Sequence, residues 1–337
     1  MHRPLRIPGL AVLAAVLLLF PVVMSDAFHL DIATQIVLIA AAVVGLNLLV
    51  GFAGQVSLGH AAFFAIGAYA SAVLTGTYGW TPLPALLCGA LMVALLAWGV
   101  GRPILRLKGH YLSMATLGFG AIIAIVINNE GWLTGGPDGI PVPPFSVLGF
   151  ELSVFTEYSL LGMPLSGTLL WYALAALLLL LAVWLAENLI DSPVGRALRA
   201  VHGSETAARA MGVDTARYKV QVFVLSAVYA SVAGSFFAHY TGFITPQIAG
   251  FEHSIELITM VVLGGMGSTF GVIIGAVLLL LLPQLLTDLH EYEMMMFGLI
   301  LMLTMIFMPR GLLPTLNHWL AQRRPRTPAD ASRATGE

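Results

Sequence analysis

The segment from Gly51 to His60 places polar groups between two long apolar runs. In hydrocarbon, non-helical backbone needs protein or water to satisfy its hydrogen-bonding groups. One interpretation is a broken helix that lines a pathway and offers amide and hydroxyl groups to a zwitterion. Its candidate residues are Gly51, Gly54, Gln55, Ser57, Gly59 and His60. The other interpretation is a plain turn between two helices, and the residues themselves leave both open.

A second glycine-rich break lies nearer the carboxyl end, and its candidate pathway residues are Gly264, Gly265, Gly267 and Ser268. Gly267, Gly271 and Gly275 recur every four residues, which predicts that they share one helix face. Small residues on one face allow two helices to approach closely, so helix packing is the favoured role. A gate or a subunit interface is the alternative.

The polar stretch from Asp191 to Asp214 predicts two short helices, with Ser192 and Ser204 as their N-cap residues. Gly212 supplies the left-handed residue that ends the second helix, which is therefore about seven residues long. A helix this short is unstable alone in water, so we expect it to be docked. It is either a solvated connector or a docking element for a cytoplasmic partner.

The residues predicted to contact and orient such a partner share one segment, 188–217. They are Gly195, Arg196, Arg199, Glu205, Ala207, Ala208, Gly212 and Asp214.

The groups that an enzyme needs are not clustered in this sequence. A phosphate-binding loop requires a Gly-Lys pair followed by Ser or Thr, and neither Lys108 nor Lys219 fits that pattern. Cys88 is the only cysteine. His253 is predicted to point away from the face that Glu252 and Glu256 share, which argues against a metal site. We therefore predict no catalytic residues, no metal and no bound cofactor.

The composition is that of an integral membrane protein. Of its 337 residues 58% are hydrophobic and 9% are charged, whereas soluble domains average about 25% charged residues. Charge is absent from 32–101, 111–129, 220–251 and 257–287. A spanning helix needs about 20 apolar residues, so each stretch has room for at least one span. No basic stripe suited to nucleic acid is present.

The fifteen Lys and Arg residues fall into five groups along the chain. The positive-inside rule places all five groups, and hence both termini, in the cytoplasm. The stretch 130–165 has acids but no Lys or Arg, so we expect it outside, folded as a cap on the bundle.

These constraints predict an all-α bundle of about ten transmembrane helices, with eight spans or a re-entrant loop as the alternatives. Four spans precede Arg102, and single spans follow at about 110–129, 166–187 and 218–240. Three more precede Arg310, the first of which, about 253–266, is short enough to be a half-helix. Residues 1–313 then form one transmembrane domain, and 314–337 read as a disordered cytoplasmic tail.

Five segments, in the same order, resemble one known family. They are Gly51–Tyr69, Lys108–Gly118, Thr134–Gly139, Gly195–Phe237 and Val262–Gly271. The segment Glu205-Thr-Ala-Ala-Arg-Ala-Met-Gly212 is similar to the Glu-Ala-Ala-x-x-x-Gly coupling loop of ATP-binding-cassette importer permeases, with Thr206 in place of Ala. From about residue 30 to 314 the chain resembles the branched-chain amino acid permeases, specifically the M-type member of the pair.

The resemblance implies import of a branched-chain amino acid, or a similar small polar solute, by alternating access across a bacterial inner membrane. It also implies an H-type second permease, a periplasmic binding protein and two cytoplasmic ATPase subunits that hold ATP and Mg²⁺. The alternative is a self-contained channel or secondary carrier for a small neutral solute such as urea or an amide.

Overall fold

The computed structural model describes residues 6–285, apart from 25, 148–149, 155 and 161–162, and isolated positions beyond 285. The predicted outer break at 287–293, most of the last predicted span and nearly all of the tail 314–337 lie outside the described residues.

The described chain is all-α apart from short strands, as the sequence predicts. The helices are α1 (Arg6–Val23), α2 (Ala27–Asn47), α3 (Ala61–Gly76), α4 (Pro82–Ile104), α5 (His110–Asn129), α6 (Gly131–Thr134), α7 (Gly167–Asp191), α8 (Pro193–Gly203), α9 (Glu205–Ala210), α10 (Thr215–Thr241), α11 (Phe251–Gly264) and α12 (Thr269–Leu285). A π-helical turn, Leu48–Phe52, continues α2. Within the described residues, five helices are long and apolar enough to cross a membrane: α2 with its π turn, α4, α5, α7 and α10.

Two helices form the centre of the bundle. α10 packs against α2, α3 and α4, and α2 also contacts α7, α11 and α12. From Ile36 to Val50 every residue of α2 and its π turn is buried. Since this run is apolar all round except for Asn47, it is suited to a position enclosed by other helices.

The outer helices expose apolar faces. On α4, Leu87, Leu91 and Leu95 follow at intervals of four and are 67%, 61% and 62% exposed. Contiguous apolar patches of this kind are rare on soluble monomers. They are expected where the solvent is lipid, because lipid tails are as apolar as the leucine side chains.

The segment between α5 and α7 forms short antiparallel pairs. β2 (Phe145–Val147) pairs with β3 (Phe150–Leu152), and β4 (Glu157–Leu160) pairs with β5 (Met163–Ser166). β1 (Ile140–Pro141) pairs instead with β6 (Phe243–Ile244), which follows α10. The buried His239 of α10 holds the same segment through a hydrogen bond of 2.8 Å between its Nδ1 and the carbonyl of Pro143. The segment therefore packs on the bundle.

The bundle has two chemically different ends. We call the end that carries β1–β6 the hairpin end and the other, where α7 leads into α8 and α9, the α8–α9 end. α7 has 25 residues, so the two ends are about 38 Å apart. The basic residues with described side chains all lie at the α8–α9 end: Arg102, Arg106, Lys108, Arg196, Arg199, Arg209, Arg217 and Lys219. The acidic Glu130, Asp138 and Glu151 lie at the hairpin end.

α3 and α10 interlock through two glycines. A Cβ atom added at Gly234 would lie 2.1 Å from the carbonyl oxygen of Phe64, and one added at Gly67 would lie 2.2 Å from that of Ser231. Neither distance is compatible with a side chain, and both neighbouring atoms belong to helix backbone. The two helix axes would have to separate to admit even a methyl group.

We expect Gly234→Ala to lower the free energy of unfolding by about 1–3 kcal/mol, the usual cost of overpacking. Gly99→Ala is the matched control, because Gly99 lies within α4 and a Cβ there would meet nothing within 4 Å. Thermal unfolding of both variants in detergent, followed by size-exclusion fluorescence, measures the difference. Equal melting temperatures for Gly234→Ala and wild type would show that the interface is looser than described.

Candidate functional site

The local sequence accounts for the two short helices at the α8–α9 end. Ser192 Oγ accepts hydrogen bonds from the backbone N–H of Val194 and Gly195 at 3.1 and 3.3 Å. Ser204 Oγ accepts one from Ala207 N at 3.3 Å. Gly212 then takes a left-handed conformation with φ of 83°. The predicted caps and stop are found, and α9 has six residues where about seven were predicted.

The carboxylate of Glu205 joins α9 to α10. Its Oε2 accepts a hydrogen bond of 2.6 Å from Lys219 Nζ, and its Oε1 one of 2.5 Å from Arg209 Nη2. Arg209 Nε also donates to Thr215 Oγ1 at 2.9 Å. The Lys219 side chain is only 4% exposed, so this ammonium has left water and depends on Glu205 for its counter-charge.

The electrostatic balance at Glu205 favours its charged form. Partial burial acts to raise the pKa of Glu205. The hydrogen bond and charge of Lys219, with the charges of Arg209 and Lys108, outweigh that effect, so that the pKa lies below its ordinary value of 4.5. The carboxylate is therefore ionised throughout the neutral range, and its link to Lys219 is a permanent feature of the folded chain.

α9 has one face against the bundle and one face open to solvent. Ala208 is 4% exposed and contacts the bundle, whereas Ala207 and Ala210 are exposed and Met211 is 85% exposed. A partner at this end would therefore meet Ala207, Ala210 and Met211.

Three of the residues predicted to contact a partner have a structural position within the chain. Ala208 is buried. Gly195 is also buried, and a Cβ there would lie 2.1 Å from the carbonyl of Ile190. Asp214 caps α10, since its Oδ1 accepts a hydrogen bond from Arg217 N at 3.1 Å. Arg196 and Arg199 are exposed on α8, as a contact surface requires.

The segment 53–60 is non-helical and enters the bundle. It starts at the α8–α9 end, where a Cβ on Gly54 would lie 2.9 Å from Nδ1 of His202 in α8. It ends at His60, which is fully buried with its Nε2 3.2 Å from Ser226 Oγ, eleven residues into α10. A plain turn between helices, one of the two interpretations of the sequence, does not describe this path.

Side chains of neighbouring helices replace the missing helical hydrogen bonds of this segment. Thr116 Oγ1 in α5 accepts from Leu58 N at 3.0 Å, and Ser254 Oγ in α11 accepts from Ala61 N at 3.2 Å. Three buried polar atoms in the segment have no hydrogen-bond partner among the described residues: Gln55 Oε1, Ser57 Oγ and His60 Nδ1. Buried polar side-chain atoms are normally hydrogen-bonded to protein or to ordered water.

The second glycine-rich break meets the first. Asn47 Oδ1 accepts a hydrogen bond of 2.9 Å from Gly267 N, and a Cβ on Gly51 would lie 2.2 Å from that same nitrogen. Gly264 and Gly265 end α11, and Ser268 Oγ accepts from Gly271 N at 3.1 Å at the start of α12. The two breaks are thus in backbone contact beside α8.

The predicted glycine face divides into two parts. Gly271 and Gly275 lie on α12 against α11, where added Cβ atoms would fall 2.4 and 2.2 Å from the carbonyls of Gly264 and Met260. Gly267 lies before α12 begins and has a positive φ of 79°. The prediction of three glycines on one helix face is wrong for Gly267, because the helix does not extend back to it.

His253 also departs from its predicted orientation. Its Nδ1 lies 3.1 Å from Glu256 Oε2, so the two side chains do meet. No group of three possible metal-binding side chains occurs among the described residues.

Comparison with known proteins identifies the family to which this chain belongs. Residues 28–308 match the family model described as the permease component of branched-chain amino acid transport systems. The chain belongs to that family. The branched-chain amino acid permease LivM of Escherichia coli K12 is 39% identical over 84% of this permease and 69% of its own length. LivM of Salmonella typhimurium is 38% identical over 91% of this chain and 73% of its own length.

A second permease of such transport systems, LivH, is more distantly related. The LivH permease of Escherichia coli K12 is 26% identical over 80% of this chain and 89% of its own length. No solved structure matches this permease.

The sequence does not reveal the residues that hold the two breaks and the short helix α9 in place. Nothing in the sequence pairs Lys219 with Glu205, fourteen residues away, yet Lys219 is its buried partner. Asn47 and Thr116 lie inside apolar runs, Ser254 lies among the polar residues that begin α11, and the three act across 58 to 220 residues of sequence. A polar side chain inside an apolar span was the available signal.

We expect Glu205→Gln to destabilise the permease by about 1.5–3 kcal/mol, because it leaves the buried Lys219 ammonium without a counter-charge. The double variant Glu205→Gln/Lys219→Met should lose less than the sum of the two single variants. Thermal unfolding in detergent of all four proteins measures the coupling, and strictly additive losses would contradict it.

The stabilisation that Glu205 provides depends on pH in a defined way. Since the folded-state pKa of Glu205 is lowered, its stabilisation is fully present above the ordinary value of 4.5 and is lost as the pH falls through the folded-state value. The gap between wild type and Glu205→Gln should be constant from about pH 8 to 5 and close only at more acidic pH.

Proposed function

We propose that this permease is one of two transmembrane subunits of an ATP-driven importer of leucine, isoleucine, valine or a similar small polar solute. Membership of the branched-chain amino acid permease family supports the substrate class. Similarity to both LivM and LivH supports a paired arrangement, in which this chain takes the M-type position and an H-type permease is its partner. Two separate ATPase subunits would bind ATP and Mg²⁺.

The separation of charge between the two ends supports an orientation in the bacterial inner membrane. In the proposed topology of ten spans, the α8–α9 end with its arginines and lysines is cytoplasmic. The hairpin end then faces the periplasm, where 130–165 would meet a solute-binding protein. Both termini would lie in the cytoplasm.

The observation that carries the proposal is the geometry of α9. A helix of six residues is too short to be stable alone, yet Glu205 ties it to α10 and Ala208 anchors it against the bundle. Its small outward residues leave room for a partner surface to approach closely. When the ATPases close on ATP, a partner that holds Ala207 and Met211 would move α9, and Lys219 would transmit that movement to α10.

The solute pathway is proposed to pass the segment 53–60. Gln55, Ser57 and His60 hold buried polar atoms without partners among the described residues. A zwitterion requires donors and acceptors of this kind once it leaves water. Their position beside the break at 264–268 would let both irregular segments change shape together.

The pathway proposal predicts that Gln55→Leu raises the KM for solute uptake at least about tenfold, since a lost hydrogen bond in a dry site is worth about 1.5 kcal/mol. Gln221→Leu is the matched control, because Gln221 is exposed on α10. Initial uptake rates against solute concentration give both constants. An unchanged KM with unchanged maximal rate would remove Gln55 from the pathway.

Reconstitution tests the proposed function as a whole. Proteoliposomes that contain this chain, its partner permease and both ATPases should take up leucine, isoleucine or valine only with ATP on the ATPase side and binding protein on the other. Solute flux through this chain alone, indifferent to nucleotide, would overturn the importer and favour a channel or carrier.

The docking role of α9 predicts that Ala207→Trp or Ala210→Trp abolishes solute-stimulated ATP hydrolysis and weakens recovery of the ATPases with the purified permease. Ala121→Trp, at an exposed alanine of α5, is the matched control and should behave as wild type. Normal coupling in the α9 variants would show that the ATPases dock elsewhere.

A further inference from the structure

A large open groove lies between α4 and α10 at the α8–α9 end. Its volume is about 1030 Å³, and it runs along α10 from Asp214 to Val228. Fourteen residues of helix correspond to about 21 Å. The groove therefore follows the length of the bundle from its polar end well into the apolar body.

The polar end of the groove carries an excess of positive charge. Six basic and two acidic side chains line it. Glu205 already pairs with Lys219 and Arg209, and Asp214 caps α10. The remaining cations are exposed and make no ion pair within the described part of the chain: Arg102, Arg106, Lys108 and Arg217.

The rest of the groove is apolar. Val220, Val224 and Val228 follow one another at intervals of four along α10. On the facing helix, Trp98 is 48% exposed, and the guanidinium carbon of Arg102 lies 3.7 Å from the centre of its ring. Tryptophan beside arginine at a helix end is typical of the level at which lipid headgroups lie.

We propose that this groove binds an anionic phospholipid, such as phosphatidylglycerol, lengthwise. The headgroup phosphate lies between Arg102, Arg106 and Arg217, and an acyl chain lies along the valines of α10. An occupant must be anionic at one end and apolar over the remaining length, with its axis parallel to the helices. A phospholipid meets these requirements, because basic pockets between transmembrane helices recruit anionic headgroups. A soluble anion would leave the apolar wall uncovered.

Native mass spectrometry of the purified transporter with added phosphatidylglycerol or phosphatidylcholine of identical acyl chains tests the proposal. Arg102→Gln/Arg106→Gln should weaken phosphatidylglycerol binding by about tenfold or more, from the loss of two charges near the headgroup. Arg196→Gln/Arg199→Gln is the matched control: it removes two exposed arginines from the same end, outside the groove, and should leave binding within about twofold of wild type. Arg102→Lys/Arg106→Lys should retain most of the preference.

Equal affinity for the two lipids, or equal losses in the two glutamine variants, would overturn the proposal. A second measurement does not depend on the arginine variants folding. A photoreactive benzoylphenylalanine in place of Gln221, which lines the groove, should form adducts with phosphatidylglycerol in the assembled transporter. Adducts with another subunit in place of lipid would assign the groove to a protein interface and exclude the lipid site.

Discussion

Every backbone N–H and C=O that leaves water must find a partner within the protein, and this requirement organises the whole structure. Long helices satisfy it locally. Where the helices break, three backbone N–H groups find a side chain of another helix: Thr116 for Leu58 N, Ser254 for Ala61 N and Asn47 for Gly267 N. The irregular segments are therefore held by specific polar residues, and each of these residues connects a break to a helix far away in sequence.

Those connections explain which features the sequence could predict. The helices α5, α7 and α10 were predicted to within a few residues, because apolar length and flanking charge are local properties of the chain. The caps Ser192 and Ser204 and the stop at Gly212 were predicted for the same reason. The path of 53–60 was not, since the sequence of that segment is equally compatible with a turn. The direction of the segment depends on hydrogen bonds to Thr116 and Ser254, and nothing in the sequence of the segment indicates these two partners.

At the candidate coupling surface, too, the sequence predicts the local features and not those that depend on distant residues. The presence of a short docked helix followed from Ser204, Glu205 and Gly212. Which of its alanines faces outward did not, because Ala207 and Ala208 are equivalent in composition and differ only in what surrounds them. Lys219 decides the orientation: once its buried ammonium binds Glu205, Ala208 is turned inward and Ala207 outward.

The interlocking of α3 and α10 through Gly67 and Gly234 limits how the bundle can rearrange. Sliding one helix past the other by a single residue, about 1.5 Å, would bring residues that carry a Cβ into the places now held by Gly67 and Gly234, where only a glycine fits. We therefore expect α3 and α10 to move together. Bending is left to the stretch that precedes α3, residues 53–60, where no ladder of helical hydrogen bonds resists rotation about φ and ψ. The rigid contact at Phe64 and Gly67 thus directly adjoins the segment in which backbone rotation is least opposed.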